Sequence, residues 1–242
     1  MWTDLHTLPT TNPLRNATKS IRKFKRFCRS PFYELATALN DISVDELETI
    51  NPFSLAPWAE RIRTITDDDD AATGTEVGAD GVMHVAVSSS ARNGFVGSGA
   101  VIELPSTSGQ GPGLERHSFT LGLRMEQNPF SGELAAIAQA LRCLPEIRNR
   151  SVKVLTSNKA AVLTLRNPRQ QSGQQYVDSI HETIGVLRDQ GNEVTVTWVP
   201  VSSEHGLLRV AKDEARDATR EGATPAAKFP RARSTTLGRT DY

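Results

Sequence analysis

The spacing of hydrophobic and polar positions changes several times along this chain, and each change marks an element. Val82 to Val87 form a short, mostly apolar run closed by Ser88-Ser89-Ser90. Such a run, bounded by turn residues, predicts a strand. Gly94, Gly97 and Gly99 mark a turn and a second strand that runs to Val101-Ile102-Glu103-Leu104. A Ser/Gly/Pro loop covers 105–113, and the alternation of Phe119, Leu121 and Leu123 predicts a third strand. Together these read as an antiparallel meander.

Helical spacing takes over at Leu134, Ile137, Ala138, Leu141 and Leu144. Val152, Val154 and Leu155 predict a buried strand. A short helix from Asn158 to Leu165 is stopped by Asn167-Pro168. Tyr176, Ile180, Ile184 and Leu187 predict another helix ending before Gly191. Val194, Val196 and Trp198 alternate as a last strand ended by Pro200, and Leu207 to Arg220 reads as a charged terminal helix. A meander followed by alternating helix and strand predicts an α/β fold with a mixed five-stranded sheet flanked by helices.

The flanks differ in character. Residues 1–66 read as a small prefix, basic at first and then helical. Arg15, Lys19, Arg22, Lys23, Lys25, Arg26 and Arg29 alternate with Phe24 and Phe27, and Leu35, Leu39, Ile42, Val44, Leu47 and Ile50 have helical spacing. The basic stretch is either a nucleic-acid or nuclear-import patch or the solvated face of a short amphipathic helix, and the second reading is preferred. Residues 67–80 begin with Asp67 to Asp70 and read as an acidic linker. Residues 81–222 form the folded domain. From 223 to 242 an Ala/Pro/Arg/Ser/Thr-rich composition predicts a disordered tail.

Composition narrows the function classes. Formal net charge is +0, so attraction to nucleic acid must come from local patches. The 38% hydrophobic content is ordinary for a globular protein. Cys28 and Cys143 have no CxxC spacing, which argues against a disulfide framework or a cysteine zinc site, and Cys143 reads as a buried thiol. No apolar run approaches the roughly 20 residues of a membrane helix, and Met1 to Thr10 have no apolar core of a signal peptide. The expectation is an intracellular protein of the cytoplasm or nucleus, with no membrane partner and an undetermined oligomeric state.

Several blocks carry a family resemblance. Ser88-Ser89-Ser90-Ala91-Arg92-Asn93-Gly94 falls where RNase H domains write T-D-G-S before their second strand. Gly132-Glu133-Leu134-Ala135-Ala136-Ile137 resembles A-E-L-x-A-I. Thr156-Ser157-Asn158-Lys159-Ala160-Ala161-Val162 resembles T-D-N-Q-A-A-I. Trp198-Val199-Pro200 resembles W-I-P, and Arg209-Val210-Ala211-Lys212 resembles R-L-A-K. The closest subtype is the RNase H segment of fungal non-LTR retrotransposon polyproteins. Leu5-His6-Thr7-Leu8-Pro9, Arg29-Ser30-Pro31 and Glu48-Thr49-Ile50-Asn51-Pro52 are similar to the connector that precedes it there. No reverse transcriptase sequence comes before these blocks, so the expectation is a chain cut from a former polyprotein.

The resemblance implies RNA–DNA hybrid endoribonuclease chemistry in the ancestor, run on two magnesium ions. Two such ions bring four positive charges within about 4 Å, and carboxylates must offset that repulsion. The family's four acids fall here at Ser88, Glu133, Ser157 and about Leu208, and its loop histidine falls at Ser202. Only Glu133 is retained. A serine hydroxyl is a neutral, weak magnesium ligand, and a leucine is none. No cofactor is therefore expected, and magnesium only weakly through Glu133 if activity remains. Glu204 and His205 read as exposed loop residues, and Asp213 points to another helix face than Leu208.

Three readings follow. The first is a catalytically inactive RNase H-like relic that still folds. The second is a module that binds RNA–DNA hybrid or other nucleic acid, with Arg92, Asn158, Lys159, Arg166 and Arg169 as candidate contacts. The third is residual metal-dependent hybrid hydrolysis through a site rebuilt around Glu133.

Overall fold

The computed structural model describes residues 44–51, 55–56, 58–66, 82–104, 113–203, 205–225 and 227–237. The chain divides into two units. Of the first, Met1–Glu46 with Arg239–Tyr242, the described part is one 3-10 turn, Val44–Glu46. The second, Leu47–Gly238, contains the sheet. The basic stretch 15–29, the acidic run 67–70, Cys28 and Glu204 lie outside the described residues.

The strands are β1 (Arg63–Ile65), β2 (Val82–Arg92), β3 (Phe95–Leu104), β4 (Gly113–Leu123), β5 (Ser151–Thr156) and β6 (Glu193–Trp198). They form one sheet in the order β1-β6-β5-β2-β3-β4. The meander β2, β3, β4 is antiparallel, and β2, β5, β6 and β1 run parallel to one another. Parallel neighbours need crossovers, and helices supply them. These are α1 (Pro129–Arg142), α2 (Lys159–Arg166) and α3 (Gln174–Asp189), followed after β6 by α4 (Gly206–Asp217) and by a short α5 (Arg233–Leu237).

The meander, the crossover helices and the terminal helix give an α/β fold with a mixed sheet flanked by helices, as the hydrophobic pattern predicts. Alternation along β2 divides the core. Val85 and Val87 face α1 and α3, where they join Leu134, Ile137, Val154, Val177, Ile180, Ile184 and Val196. Ala86 faces α4, with Val101, Leu155 and Ala211.

α4 lies against the sheet because β3 presents no side chain where the helix crosses. A Cβ on Gly99 would stand 2.3 Å from the Ala211 carbonyl oxygen and 2.3 Å from the Ala215 nitrogen. One on Gly97 would stand 2.6 Å from the Ala215 oxygen. The buried, small Ala211 and Ala215 complete the close approach from the helix side. The β2–β3 hairpin turns at Asn93 (φ 50°) and Gly94 (φ 78°), a left-handed pair suited to a two-residue loop.

Three expectations need correction. The sheet has six strands rather than five, because β1, assigned to the prefix, pairs with β6. Three residues are too few to display a period of two, so the pattern could not reveal it. The folded unit therefore begins before residue 81: Ile62 is buried, and so is Glu48.

The end of the chain also differs from expectation. Of the segment read as a disordered tail, residues 227–237 return to the domain. Phe229 packs on Phe119 with ring centroids 6.1 Å apart, and Ala232 is buried. The Ala232 amide donates to the Glu126 carbonyl at 2.7 Å, and Gln127 Nε2 donates to the Pro230 carbonyl at 2.8 Å. Leu47 and Arg231 form a parallel bridge. Glu48 locks this strap: its carboxylate accepts the Gly173 amide at 2.6 Å and the Arg233 amide at 2.8 Å. Composition averages over one aromatic and one distant carboxylate, and these two anchor the segment. Finally, Cys143, expected buried, is a half-buried free thiol at the C-cap of α1.

Candidate nucleic-acid interface

The candidate site lies where β2, the end of β5 and the start of α4 converge. Ser88 pairs with Gly99 and so stands on the α4 side of the sheet, and Ser157 follows the last residue of β5. Both line a cavity of about 320 Å³ together with Pro200, Val201, Ser203, His205, Gly206, Leu208, Arg209 and Lys212. The three positions where the resemblance puts missing acids, Ser88, Ser157 and Leu208, therefore open onto one space. Counted from the N-cap His205, positions 205, 208, 209 and 212 follow i, i+3, i+4, i+7 spacing, and with Gly206 in the first turn they present one face of α4.

Glu133 does not share that space. Asn128 caps α1, its Oδ1 accepting the Ser131 amide at 2.7 Å, and this starts the helix so that Glu133 meets the sheet. The Glu133 carboxyl accepts a hydrogen bond from Thr156 Oγ1 at 2.5 Å and further bonds from the Ser89 hydroxyl and amide. Thr156 Oγ1 in turn accepts the Asn158 amide at 3.0 Å. The Glu133 residue is 3% exposed, and burial raises its pKa above the ordinary 4.5 while the hydrogen bonds from Thr156 and Ser89 oppose the rise. It is a carboxyl sealed between α1 and the central strands β2 and β5, with protein donors occupying its oxygens.

These residues do not fit a pair of magnesium ions. The hard cation needs several oxygen ligands, chiefly carboxylates. Three serine hydroxyls and a leucine line the cavity with no described carboxylate, and Glu133 is engaged elsewhere. Among the described residues no group of three His, Cys, Asp or Glu side chains could hold a metal. The acids on α4 face away from the cavity: Asp213 pairs with Arg216 at 2.9 Å, Asp217 with Arg220 at 2.7 Å and Glu214 with Arg116 at 3.5 Å.

What the cavity offers is a set of donors. Arg209 and Lys212 are exposed, and no carboxylate of a described residue lines the cavity with them. The first amides of the 12-residue α4 are without intrahelical partners, and His205 at its N-cap makes no side-chain capping bond. A helix N-terminus flanked by two cations and three hydroxyls favours an anion. His205, expected as an exposed loop residue, instead lines the cavity, and its buried Nδ1 has no partner within the protein.

The other candidate contacts are dispersed. Arg92 is exposed at the β2–β3 hairpin, four residues beyond Ser88 and away from the cavity. Asn158 is spent as the N-cap of α2, its Oδ1 accepting the Ala161 amide at 3.1 Å. Lys159 Nζ lies 4.7 Å from the centre of the Trp198 ring, and Trp198 Nε1 donates to the Ser157 carbonyl at 3.1 Å. Arg166 and Arg169 line a separate groove. Sequence reasoning missed Arg209 and Lys212, although they stand four residues after His205 and Leu208 respectively.

No protein-family model matches the chain, and no curated protein is similar to it in sequence. Solved structures are similar in fold. An N-terminal RNase H domain from Mycobacterium tuberculosis, determined as a fusion with maltose-binding protein, is 14% identical with a TM-score of 0.44 and covers 57% of this chain and 99% of its own. RNase H1 from the halophilic archaeon Halobacterium salinarum NRC-1 is 14% identical with a TM-score of 0.43 and covers 57% of this chain and 97% of its own.

Proposed function

We propose that this chain is a retrotransposon-derived RNase H-like protein that binds the backbone of an RNA–DNA hybrid without hydrolysing it. The observation that carries the reading is the cavity wall. Ser88, Ser157 and Leu208 stand where the resemblance places metal-binding acids, Arg209 and Lys212 stand beside them, and Glu133 is sealed away. Acids that hold metal repel a phosphate when no metal is bound. Their replacement by hydroxyls, with two cations adjacent, makes the same space attractive to a phosphate.

The chemistry the residues support is therefore retention. Arg209 offers a planar fork of donors to a phosphate, Lys212 offers a point charge, and the α4 amides complete the cradle. None of these groups activates a water for attack. Among the described residues Glu133 is the one carboxyl near the old centre, and its oxygens already accept from Thr156 and Ser89.

The test combines cleavage and binding in one set of samples. Labelled RNA–DNA hybrid is incubated with the full chain in magnesium or manganese and resolved on both native and denaturing gels. The expected result is a shifted, uncut hybrid whose affinity falls steeply with salt. Cutting by the parent that vanishes in Glu133→Gln would establish hydrolysis through a rebuilt site and sink the proposal. No shift at low salt would leave a folded relic without this function.

A further inference from the structure

A larger concavity lies at the opposite end of α2, unused by the reading above. Arg61, Arg63, Arg166 and Arg169 line a groove of about 950 Å³ between β1 and the C-terminal half of α2, with Thr164 and Gln171. Arg61 and Arg63 lie two apart along an extended segment, so their side chains point to one side. Arg166 ends α2, and Arg169 follows the Asn167-Pro168 stop.

The charge is only partly neutralised among the described residues. No carboxylate of a described residue lines the groove. Arg63 is paired with Glu193, and Glu60 is taken by Arg188 at 3.3 Å. Neither Arg61 nor Arg169 has a carboxylate within salt-bridge distance among the described residues. The dipole of α2 accounts for a cation at Arg166 and for none of the other three. In a chain of net charge +0, four arginines around one groove are a local concentration that solubility does not require. The groove also holds an unused donor, since the buried Gln171 Nε2 has no partner within the protein.

We infer that this groove is a second binding site for the phosphodiester backbone of nucleic acid, separate from the cavity at α4. Guanidinium forks match phosphate oxygens in pairs, and an amide donor adds a directed bond. Among the described residues no aromatic side chain lines the groove, so these residues offer bases no stacking platform and read charge and shape rather than sequence. The inference takes its ligand class from the function proposed above, but it stands on different residues. Because α2 is eight residues long, the groove lies roughly 12 Å from the Ser157 end of the helix.

The experiment measures fluorescence anisotropy of labelled single-stranded RNA, single-stranded DNA and RNA–DNA hybrid with the full chain across a salt series. The parent is compared with R61Q/R169Q and with R209Q/K212Q, after thermal melts confirm that each variant is folded. All four side chains are exposed, so melts near the parent's are expected. Loss of two phosphate contacts should lower the slope of log affinity against log salt by about 1.4 on a single strand and about 1.8 on a duplex. A lowered slope in R61Q/R169Q on any of the three ligands supports the groove, and the ligand affected most identifies the form it takes. An unchanged slope on all three in R61Q/R169Q overturns the inference, while a drop in R209Q/K212Q alone leaves the cavity reading standing. A drop in R61Q/R169Q alone keeps the groove and removes the cavity. Sedimentation that shows R61Q/R169Q turning a dimer into a monomer, with nucleic-acid affinity unchanged, would also overturn the inference and assign the face to a second copy of the chain.

Discussion

Replacing Gly99 with alanine should displace the helix that carries half of the candidate site. The new Cβ would stand 2.3 Å from both the Ala211 oxygen and the Ala215 nitrogen, whereas ordinary contact begins at 3.4 Å. The obstacles are backbone atoms, which cannot rotate aside, so α4 must withdraw by roughly 1 Å as a body. Overpacking of this kind costs about 1–3 kcal/mol, and a backbone obstacle places Gly99→Ala at the upper end. For a chain of this size each kcal/mol lowers Tm by roughly 2–4 °C, so a fall of about 6–12 °C is expected by circular dichroism. Arg209 and Lys212 ride on the displaced helix, and hybrid affinity should fall in the same protein at temperatures where it remains folded. Gly185→Ala supplies the control. Nothing lies within 4 Å of a Cβ at that position in the middle of α3. The same substitution there should stabilise by about 0.5–1 kcal/mol through helix propensity. If Gly99→Ala melts within a degree or so of the parent, the tight seating of α4 on β3 is wrong, and with it the cavity geometry.

Three further predictions concern carboxylates. Because burial raises the Glu133 pKa, the folded state holds this proton more tightly than the unfolded chain does, so the group's contribution is most favourable below pH 4.5 and declines as pH rises toward the folded value. Glu133→Gln should remove that decline: its Tm relative to the parent should rise from acid to neutral pH, and a difference that stays constant with pH would contradict the assignment. Ser88→Asp places a negative charge in the cavity and should weaken hybrid binding by about 1 kcal/mol, roughly fivefold, for a phosphate about 4 Å away even at the dielectric of water; equal or tighter binding in metal-free buffer would show that the phosphate lies elsewhere. Glu48→Ala strands the amides of Gly173 and Arg233 and should cost about 2–4 kcal/mol, with faster hydrogen exchange at Arg233 and its neighbours. Exchange unchanged at Arg233 would mean the strap is held without Glu48.

The domain was legible in the sequence wherever a long pattern met a face of the core. Val85 and Val87 alternate toward the main cluster, and Ile180 and Ile184 keep helical spacing along α3, so both elements announced themselves. The features that escaped are short or joined from distant parts of the chain. β1 has three residues, and the strap depends on a carboxylate 185 positions away. The same limit applies to the candidate site. Ser88, Ser157 and Leu208 were placed by resemblance and do meet at one cavity, yet the cations beside them were sought at Arg92, Arg166 and Arg169, which lie elsewhere. Arg209 and Lys212 sit among the acids Asp213, Glu214 and Asp217 on a helix of mixed charge, so composition alone does not single them out. The arginine groove is assembled from two segments about a hundred positions apart, and a single sequence holds no sign of their meeting.

The strap also imposes an order on how the protein is made. The Arg233 amide that Glu48 accepts lies 185 residues further along the chain. At roughly 5–20 residues per second, translation separates the two by about 10–40 s. Through that interval the Glu48 carboxylate waits without its Arg233 partner while the strands and helices of the sheet emerge. The strap therefore closes only after β6 and α4 have left the ribosome, and it fastens a sheet whose strands have all been synthesised.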